Sequence, residues 1–300
     1  MRYIARGLPL ALAIALSSII GACNSVNAPA FNSDAGTPDC TTGETRACEC
    51  PPEGMPGVQV CGQDGTWGEC DCTNDDPCGD HVLLVVDRSG SMGEETKWTD
   101  FLATLEGTLA AYDDDVELGL VMLPDETCDP EDTQNLLKLC RAPTNVSVDI
   151  DGENLGPIID KLEMMGTCGG TPTAGALEKA MDAVATAGGD TQVILITDGL
   201  PNCNLDADGT SCDCAIDDPA SYCVEHPEQC IDSAAVVEAA AVLSSSGAPV
   251  HVLGYTIDTA WIDVMDAIAE AGGTEESDYC PNPDSLVISL ERILDSIVDC

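Results

Sequence analysis

Along the second half of this chain, unbroken apolar runs alternate with stretches whose apolar residues recur every three or four positions. Val82-Leu83-Leu84-Val85-Val86, closed by Asp87, predicts a strand buried on both faces. Trp98, Leu102, Leu105 and Leu109 return at helical spacing. Val116–Leu123 predicts a second strand, and Val146–Ile150 a short third one with polar alternation. Ile158, Leu162 and Met165 mark a helix, and Ala174–Ala187 an alanine-rich one. Val193–Thr197 predicts a buried strand, Ser233–Leu243 a helix, Val250–Ile257 a strand and Ile262–Ala271 a helix. Leu286, Leu290, Ile293 and Ile297 give a last helix. Strands that are apolar throughout need helices on both faces. The expected fold over residues 78–300 is therefore α/β, a doubly wound, mostly parallel sheet. In such sheets ligands bind beyond the carboxyl ends of the strands. Asp87 and Asp198 each follow a predicted strand at that end.

The region ahead of the domain has a different texture. Arg2 and Arg6 precede an apolar stretch from Leu8 to Ala22, too short to span a bilayer and shaped like the core of an export signal. Ile20-Gly21-Ala22-Cys23 resembles a bacterial lipobox, in which cleavage frees Cys23 for lipidation. Residues 1–22 then form a lipoprotein signal peptide, with an ordinary signal cleaved near Ala22 or Ala28 as the alternative. Residues 23–39, rich in Asn, Ala, Ser, Gly and Pro, read as a flexible tether. Cys40, Cys48, Cys50, Cys61, Cys70 and Cys72 crowd into residues 40–72, a unit too small for a core of its own that disulfides can staple. Within it, Val58-Gln59-Val60 and Thr66-Trp67-Gly68 predict two short strands around the turn Gly62–Gly65, with Trp67 covering the disulfides. This module reads as a rigid spacer.

The 18 cysteines fit an oxidising compartment. Setting Cys23 aside leaves an odd number, so at least one thiol is free, paired between chains or otherwise engaged. Cys48-x-Cys50 and Cys212-x-Cys214 admit a zinc reading, but the one-residue spacing and the exported context favour disulfides. Formal net charge is −44, from ten Lys and Arg against 54 Asp and Glu, and losing Arg2 and Arg6 makes it more negative by two. Such a surface repels nucleic acid and cannot form a phosphate-binding groove. It reads as a solvated acidic face.

Three segments carry candidate chemistry. Asp87-Arg88-Ser89-Gly90-Ser91 follows the first strand, Gly169-Gly170-Thr171 supplies a loop hydroxyl, and Thr197-Asp198-Gly199 closes a second strand. Short oxygen side chains two residues apart can turn inward together from one tight loop and hold a hard cation. In this order and setting the three segments resemble the metal-ion-dependent adhesion site of the von Willebrand factor type A domain, a Rossmann-like fold. The resemblance covers about residues 80–300. It implies Mg2+ or Mn2+ bound directly by Ser89, Ser91 and Thr171. It places Asp87 and Asp198 behind water or on the serines, and leaves a vacant position for an external carboxylate. It also implies a terminal disulfide between Cys78 and Cys300. The departures from the family are two cysteine-bearing insertions, at about 124–144 and 200–230, which should emerge on the metal face, wall the cation and select the partner. Inside the second, Asn204-x-Asp206-x-Asp208-Gly209 resembles the start of a calcium loop, though Ala215 stands where a closing Glu would be needed. Ca2+ there competes with a plain acidic turn. His81, His226 and His251 share no ligand spacing, and His251 reads as a satisfied core residue.

The resulting expectation is a lipid-anchored envelope or surface protein of adhesion type. It captures an acidic group on a protein or surface polymer, touches membrane through its anchor, and binds no nucleic acid. The alternative is a structural envelope protein in which metal and disulfides only harden the fold. A hydrolase is the third reading, but the chain has no Gly-x-Ser-x-Gly elbow and no His-Glu-x-x-His, so a binding protein is expected rather than an enzyme.

Overall fold

A computed structural model describes residues 40–41, 45–50, 55–62, 65–68 and 81–298, apart from 133, 134, 189, 206, 213 and 215–221. Cys23, Cys78 and Cys300 lie outside these residues, so the lipidation site and the expected terminal disulfide do too.

In the N-terminal module, β1 (Thr45–Cys50) and β2 (Met55–Val60) form a two-stranded sheet. The expected strand at Val58–Val60 is there, but its partner is Thr45–Cys50, not Thr66–Gly68. The latter segment shrinks to a single antiparallel bridge between Cys61 and Trp67. Three residues ending in glycine offer too little ladder, whereas Thr45–Cys50 supplies six residues with neither Gly nor Pro among them. Cys61 is joined to Cys40. The Trp67 ring carries the Arg46 guanidinium 4.4 Å from its centroid, a cation–π contact. Arg46 Nε also donates to Gln59 Oε1 at 2.8 Å.

The α/β domain opens with β3 (His81–Asp87), a 3-10 turn (Gly90–Gly93), α1 (Lys97–Leu109) and β4 (Glu117–Leu123). There follow α2 (Leu136–Leu139), β5 (Val148–Asp151), α3 (Leu155–Met165), α4 (Thr173–Ala187) and β6 (Thr191–Thr197). Next come α5 (Tyr222–Glu225), α6 (Ser233–Ser245), β7 (Val250–Tyr255), α7 (Ile262–Ala271), β8 (Asp278–Cys280) and α8 (Pro283–Val298). The sheet order is β5-β4-β3-β6-β7-β8, parallel throughout except for the antiparallel pair β4–β5.

Residues alternate across each strand, and the two sets build two cores. Val82, Leu84 and Val86 face Phe101 and Leu105 of α1, Ile158 and Leu162 of α3, and Leu290 and Ile293 of α8. Leu83 and Val85 face Leu177 and Ala180 of α4, Ala240 and Leu243 of α6, and Met265 and Ile268 of α7. Every one of these side chains is buried. This is the doubly wound arrangement the apolar pattern implies.

The chain runs outward from β3 through β4 to β5, then crosses back along α4 to place β6 on the other side of β3. The strand order therefore reverses between β3 and β6, the position where open α/β sheets bind ligands. Their carboxyl ends lie side by side and deliver Asp87 and Asp198 to one place.

Candidate metal centre

Asp87 ends β3 wholly buried. Its Oδ1 accepts the backbone N–H of Ser89 at 2.7 Å, and its Oδ2 accepts the hydroxyl of Thr197 at 2.6 Å. Burial and then the nearby Asp198 carboxylate push the Asp87 carboxyl well above the usual carboxylate range. The hydrogen bonds from Thr197 and Ser89 oppose that rise. Two buried carboxylates at one spot are costly unless a positive charge answers them.

The serines complete the floor. Ser89 Oγ and Ser91 Oγ lie 3.1 Å apart, and the Ser91 hydroxyl donates to Asp198 Oδ1 at 2.8 Å. Asp198 thus engages Ser91 through a hydroxyl, and Asp87 engages Ser89 through a backbone N–H. Thr171 comes in from the loop before α4 and is buried. Its Oγ1 and Ser91 Oγ each lie 3.9 Å from where a Cβ on Gly199 would sit, so both hydroxyls border the same space. The donor set is oxygen only: three hydroxyls and two carboxylates, the hard chemistry that Mg2+ or Mn2+ requires. These residues fit such an ion.

Backbone contacts hold the loops in place. Gly90 N–H donates to Gly169 O at 2.8 Å, and Cys168 N–H to Arg88 O at 2.7 Å. Asn202 clasps Thr171 from both sides, its Oδ1 accepting Thr171 N–H at 2.9 Å and its own N–H donating to Thr171 O at 3.0 Å. Arg88 sits inside the serine motif and is fully buried. Its guanidinium turns away from the aspartates and donates to main-chain carbonyls. Nε reaches Gly166 O at 2.7 Å, Nη2 reaches Met165 O at 3.3 Å, and Nη1 reaches Pro124 O and Asp125 O at 3.3 Å each. It thus caps the C-terminus of α3, where a cation is favoured, and pins the loop to the start of the first insertion. Burial lowers its pKa, opposed by Glu126, Asp125 and Asp87.

Both insertions reach the site. A cleft of about 550 Å3 has Ser89, Ser91 and Thr171 in its lining, with Pro130, Leu136 and Leu139 from the first insertion and Asn202, Cys203 and Gln229 from the second. Cys128–Cys168 ties the first insertion to the Thr171 loop, and Cys140–Cys203 ties the insertions to each other. The glycines now have a reason. A Cβ on Gly169, whose φ is +71°, would lie 2.2 Å from Leu139 O, and one on Gly170 would lie 2.3 Å from Cys203 Sγ. The first insertion is further held by Asp125. Its carboxylate accepts the N–H and Oγ1 of both Thr127 and Thr144, at 2.6 to 2.9 Å.

The other candidates disperse. Asn204 Nδ2 donates to Asp232 Oδ2 at 3.1 Å, whereas Asp208 Oδ1 accepts the N–H and hydroxyl of Thr210, and Asp206 lies outside the described residues. Cys212 pairs with Cys230, and Cys214 with Cys223, as disulfides. Among the described cysteines Cys280 is the free thiol, buried at the end of β8. His251 is half-buried and bonds Gln192 at 3.1 Å.

Four residues of the centre were not anticipated: Thr197, Arg88, Asn202 and Lys97, whose ammonium lies 2.7 Å from Asp198 Oδ2. Thr197 passes for an ordinary strand residue and Asn202 for a loop residue. For Arg88 and Lys97 the scarcity of cations in this chain was the available signal, since both stand among only ten Lys and Arg and close to the motif.

A family model for the von Willebrand factor type A domain matches residues 82–200, ending where the second insertion begins. This chain contains a von Willebrand factor type A domain. Solved structures of pilus proteins share its fold. The pilus adhesin SpaC of Lactobacillus rhamnosus GG aligns over 85% of this chain at 16% identity and a TM-score of 0.52. This chain spans only 34%, about a third, of that adhesin. The vWF domain of the type V pili tip protein Mfa5 from Porphyromonas gingivalis aligns over 73% of this chain and 95% of its own length, at 16% identity and a TM-score of 0.51. The PilB minor pilin of Streptococcus sanguinis aligns over 73% of this chain and 61% of its own, at 16% identity and a TM-score of 0.50. At such identities the likeness is one of fold. No curated protein matches the chain. Among the described residues no helix of the type A domain or its module is long and apolar enough to cross a membrane.

Proposed function

We propose that this chain is a cell-surface binding protein of adhesion type, in which the type A domain engages an acidic group on another protein or a surface polymer through Mg2+ or Mn2+. Ser89, Ser91 and Thr171 would hold the ion directly, with Asp87 and Asp198 balancing its charge from behind. The ion, when bound, supplies an electrophilic position that an external carboxylate can take. The remaining work belongs to the chain. Arg88 and Asn202 fix the two loops, and the disulfide-tied insertions wall the cleft and select what enters it. Anchoring at Cys23 on an exported, lipid-modified N-terminus would display the domain on the envelope, and the fold shared with pilus proteins accords with surface display.

One observation carries the proposal: three hydroxyls and two buried carboxylates converge at the switch point of the sheet, at the floor of an open cleft. The test compares wild type with Ser89→Ala/Ser91→Ala by Mn2+ titration calorimetry, and by retention on carboxylate-terminated against methyl-ester-terminated surfaces with and without chelator. Wild type should take up one Mn2+ and bind the carboxylate surface only in its presence. The double variant should lose both properties and keep its melting temperature in chelator. A wild-type chain that takes up neither Mn2+ nor Mg2+ would overturn the reading. A double variant with a large stability loss and intact retention would favour a purely structural metal.

A further inference from the structure

The centre already contains a cation of its own. Lys97 is the first residue of α1, and its ammonium lies 2.7 Å from Asp198 Oδ2. The Asp198 side chain is wholly screened from solvent, and that of Lys97 is 16% exposed. The other Asp198 oxygen is taken by the Ser91 hydroxyl. The neighbouring buried carboxylate, Asp87, spends its two oxygens on Ser89 N–H and Thr197 Oγ1. Among the described residues Lys97 is therefore the cation in direct contact with Asp198, one of this pair of carboxylates.

Helix physics does not explain a lysine here. The N-terminus of a helix carries the positive end of its dipole and disfavours an ammonium. The other lysine pairs among the described residues also differ in kind. The carboxylates facing Lys138, Lys161 and Lys179 are between 37% and 68% exposed, so water already solvates them. Only the Lys97 pair, among the described lysine pairs, has a carboxylate sealed from water.

We infer that Lys97 is a tethered counter-cation that neutralises Asp198 while the centre is empty of metal and competes with the divalent ion for that carboxylate. This rests on the metal reading above. With both carboxylates ionised, as they are when they answer a divalent ion, they and the one ammonium sum to a single negative charge. A divalent ion arriving with Lys97 in place leaves one net positive charge, whereas an ion arriving without it reaches neutrality. Lys97 thus stabilises the metal-free centre and weakens the metal-bound one. Its aliphatic stem and partial exposure give the ammonium a short way out to water when the ion enters. The same residue would set the metal concentration at which the domain becomes competent to bind.

The test uses the full chain and Mn2+ alone as the probe, comparing wild type, Lys97→Met and Lys97→Arg. Calorimetric titration should show Lys97→Met binding Mn2+ at least about tenfold more tightly than wild type, because a like charge a few ångströms from the ion is gone. In chelator the same variant should melt several degrees below wild type, and saturating Mn2+ should close or reverse that gap. Lys97→Arg, which keeps the charge, should bind within about threefold of wild type. If Lys97→Met does not fold in chelator, rescue by Mn2+ supports the inference. If Mn2+ fails to rescue it, Lys97→Gln is read in the same way. Wild type binding Mn2+ with the neutral variant no tighter overturns this inference and leaves the metal reading standing. Neither chain binding Mn2+ overturns both.

Discussion

Replacing Arg88 with alanine tests whether the serine loop is held from behind rather than by its own hydrogen bonds. The guanidinium makes one short bond, to Gly166 O at 2.7 Å, and three long ones at 3.3 Å, to Met165, Pro124 and Asp125. Hydrogen bonds from a charged donor contribute about 1.5–3 kcal/mol each, and the long ones belong at or below the low end, so the gross loss is roughly 6 kcal/mol. Against that stands the cost of burying a guanidinium, several kcal/mol that the variant recovers. Two of the carbonyls left without this donor, those of Pro124 and Asp125, belong to buried residues, which keeps the balance unfavourable. We expect a net loss of about 3 kcal/mol, in the range for breaking a buried charged cluster. For a domain of this size that corresponds to about 6–12 °C in melting temperature. A lysine side chain at this position could reach one or two of the four carbonyls but not fork across them, so Arg88→Lys should fall between wild type and Arg88→Ala. The assay is thermal denaturation followed by circular dichroism, without reductant, in chelator so that no metal contributes. A loss below about 1 kcal/mol for Arg88→Ala would refute the reasoning, because it would mean that burying the charge costs as much as its four bonds return.

Two further predictions concern the insertions. Burial alone would raise the pKa of Asp125, but the donors of Thr127 and Thr144 outweigh it and hold the carboxyl below its ordinary value. A depressed folded-state pKa adds stability above the unfolded value of about 3.9, which is lost as pH falls through the folded one. Asp125→Asn should therefore cost about 2 kcal/mol at pH 7 and much less near pH 2, checked by denaturant titration at both; an equal cost at both would contradict the assignment. Gly170→Ala should cost about 1–3 kcal/mol, because its Cβ would meet Cys203 Sγ. Combining it with Cys140→Ala/Cys203→Ala should remove most of that increment, and a strictly additive triple variant would show that the disulfide is not what the glycine accommodates.

The sheet was legible because its strands are apolar on both faces and its helices keep a regular spacing. β3, β4, β6 and β7 and their covering helices follow from that pattern to within a few residues. β8 does not, because Asp278-Tyr279-Cys280 is three residues long and pairs on one side only. The oxygen donors of the centre were legible for a different reason. Each stands at a strand end or in a glycine-marked loop, where side chains serve ligands more often than packing. Thr197 and Lys97 were hidden by distance along the chain: the first meets Asp87 across 110 residues, the second Asp198 across 101. No local pattern encodes a partner so remote. Arg88 was hidden by convention, since a charged residue in a surface loop is expected to face water.

The insertions and the core motif are one mechanical unit, and the glycine pair shows it. In the bare motif Gly169 and Gly170 need only let a loop turn. In this chain they also leave the room in which Leu139 O and the Cys140–Cys203 disulfide sit. Arg88 makes the converse connection, from inside the serine loop out to the carbonyls that start the first insertion. The serine loop and the Thr171 loop thus each meet the insertions, the first through a buried guanidinium and the second beside a disulfide. On the proposed metal reading, a change of conformation in either insertion would bear on Ser89 or Thr171, and an ion drawing those hydroxyls together would bear on the walls of the cleft. If the proposed ion binds there, its affinity and the shape presented to a partner would be linked through these contacts, and any such linkage would be reciprocal.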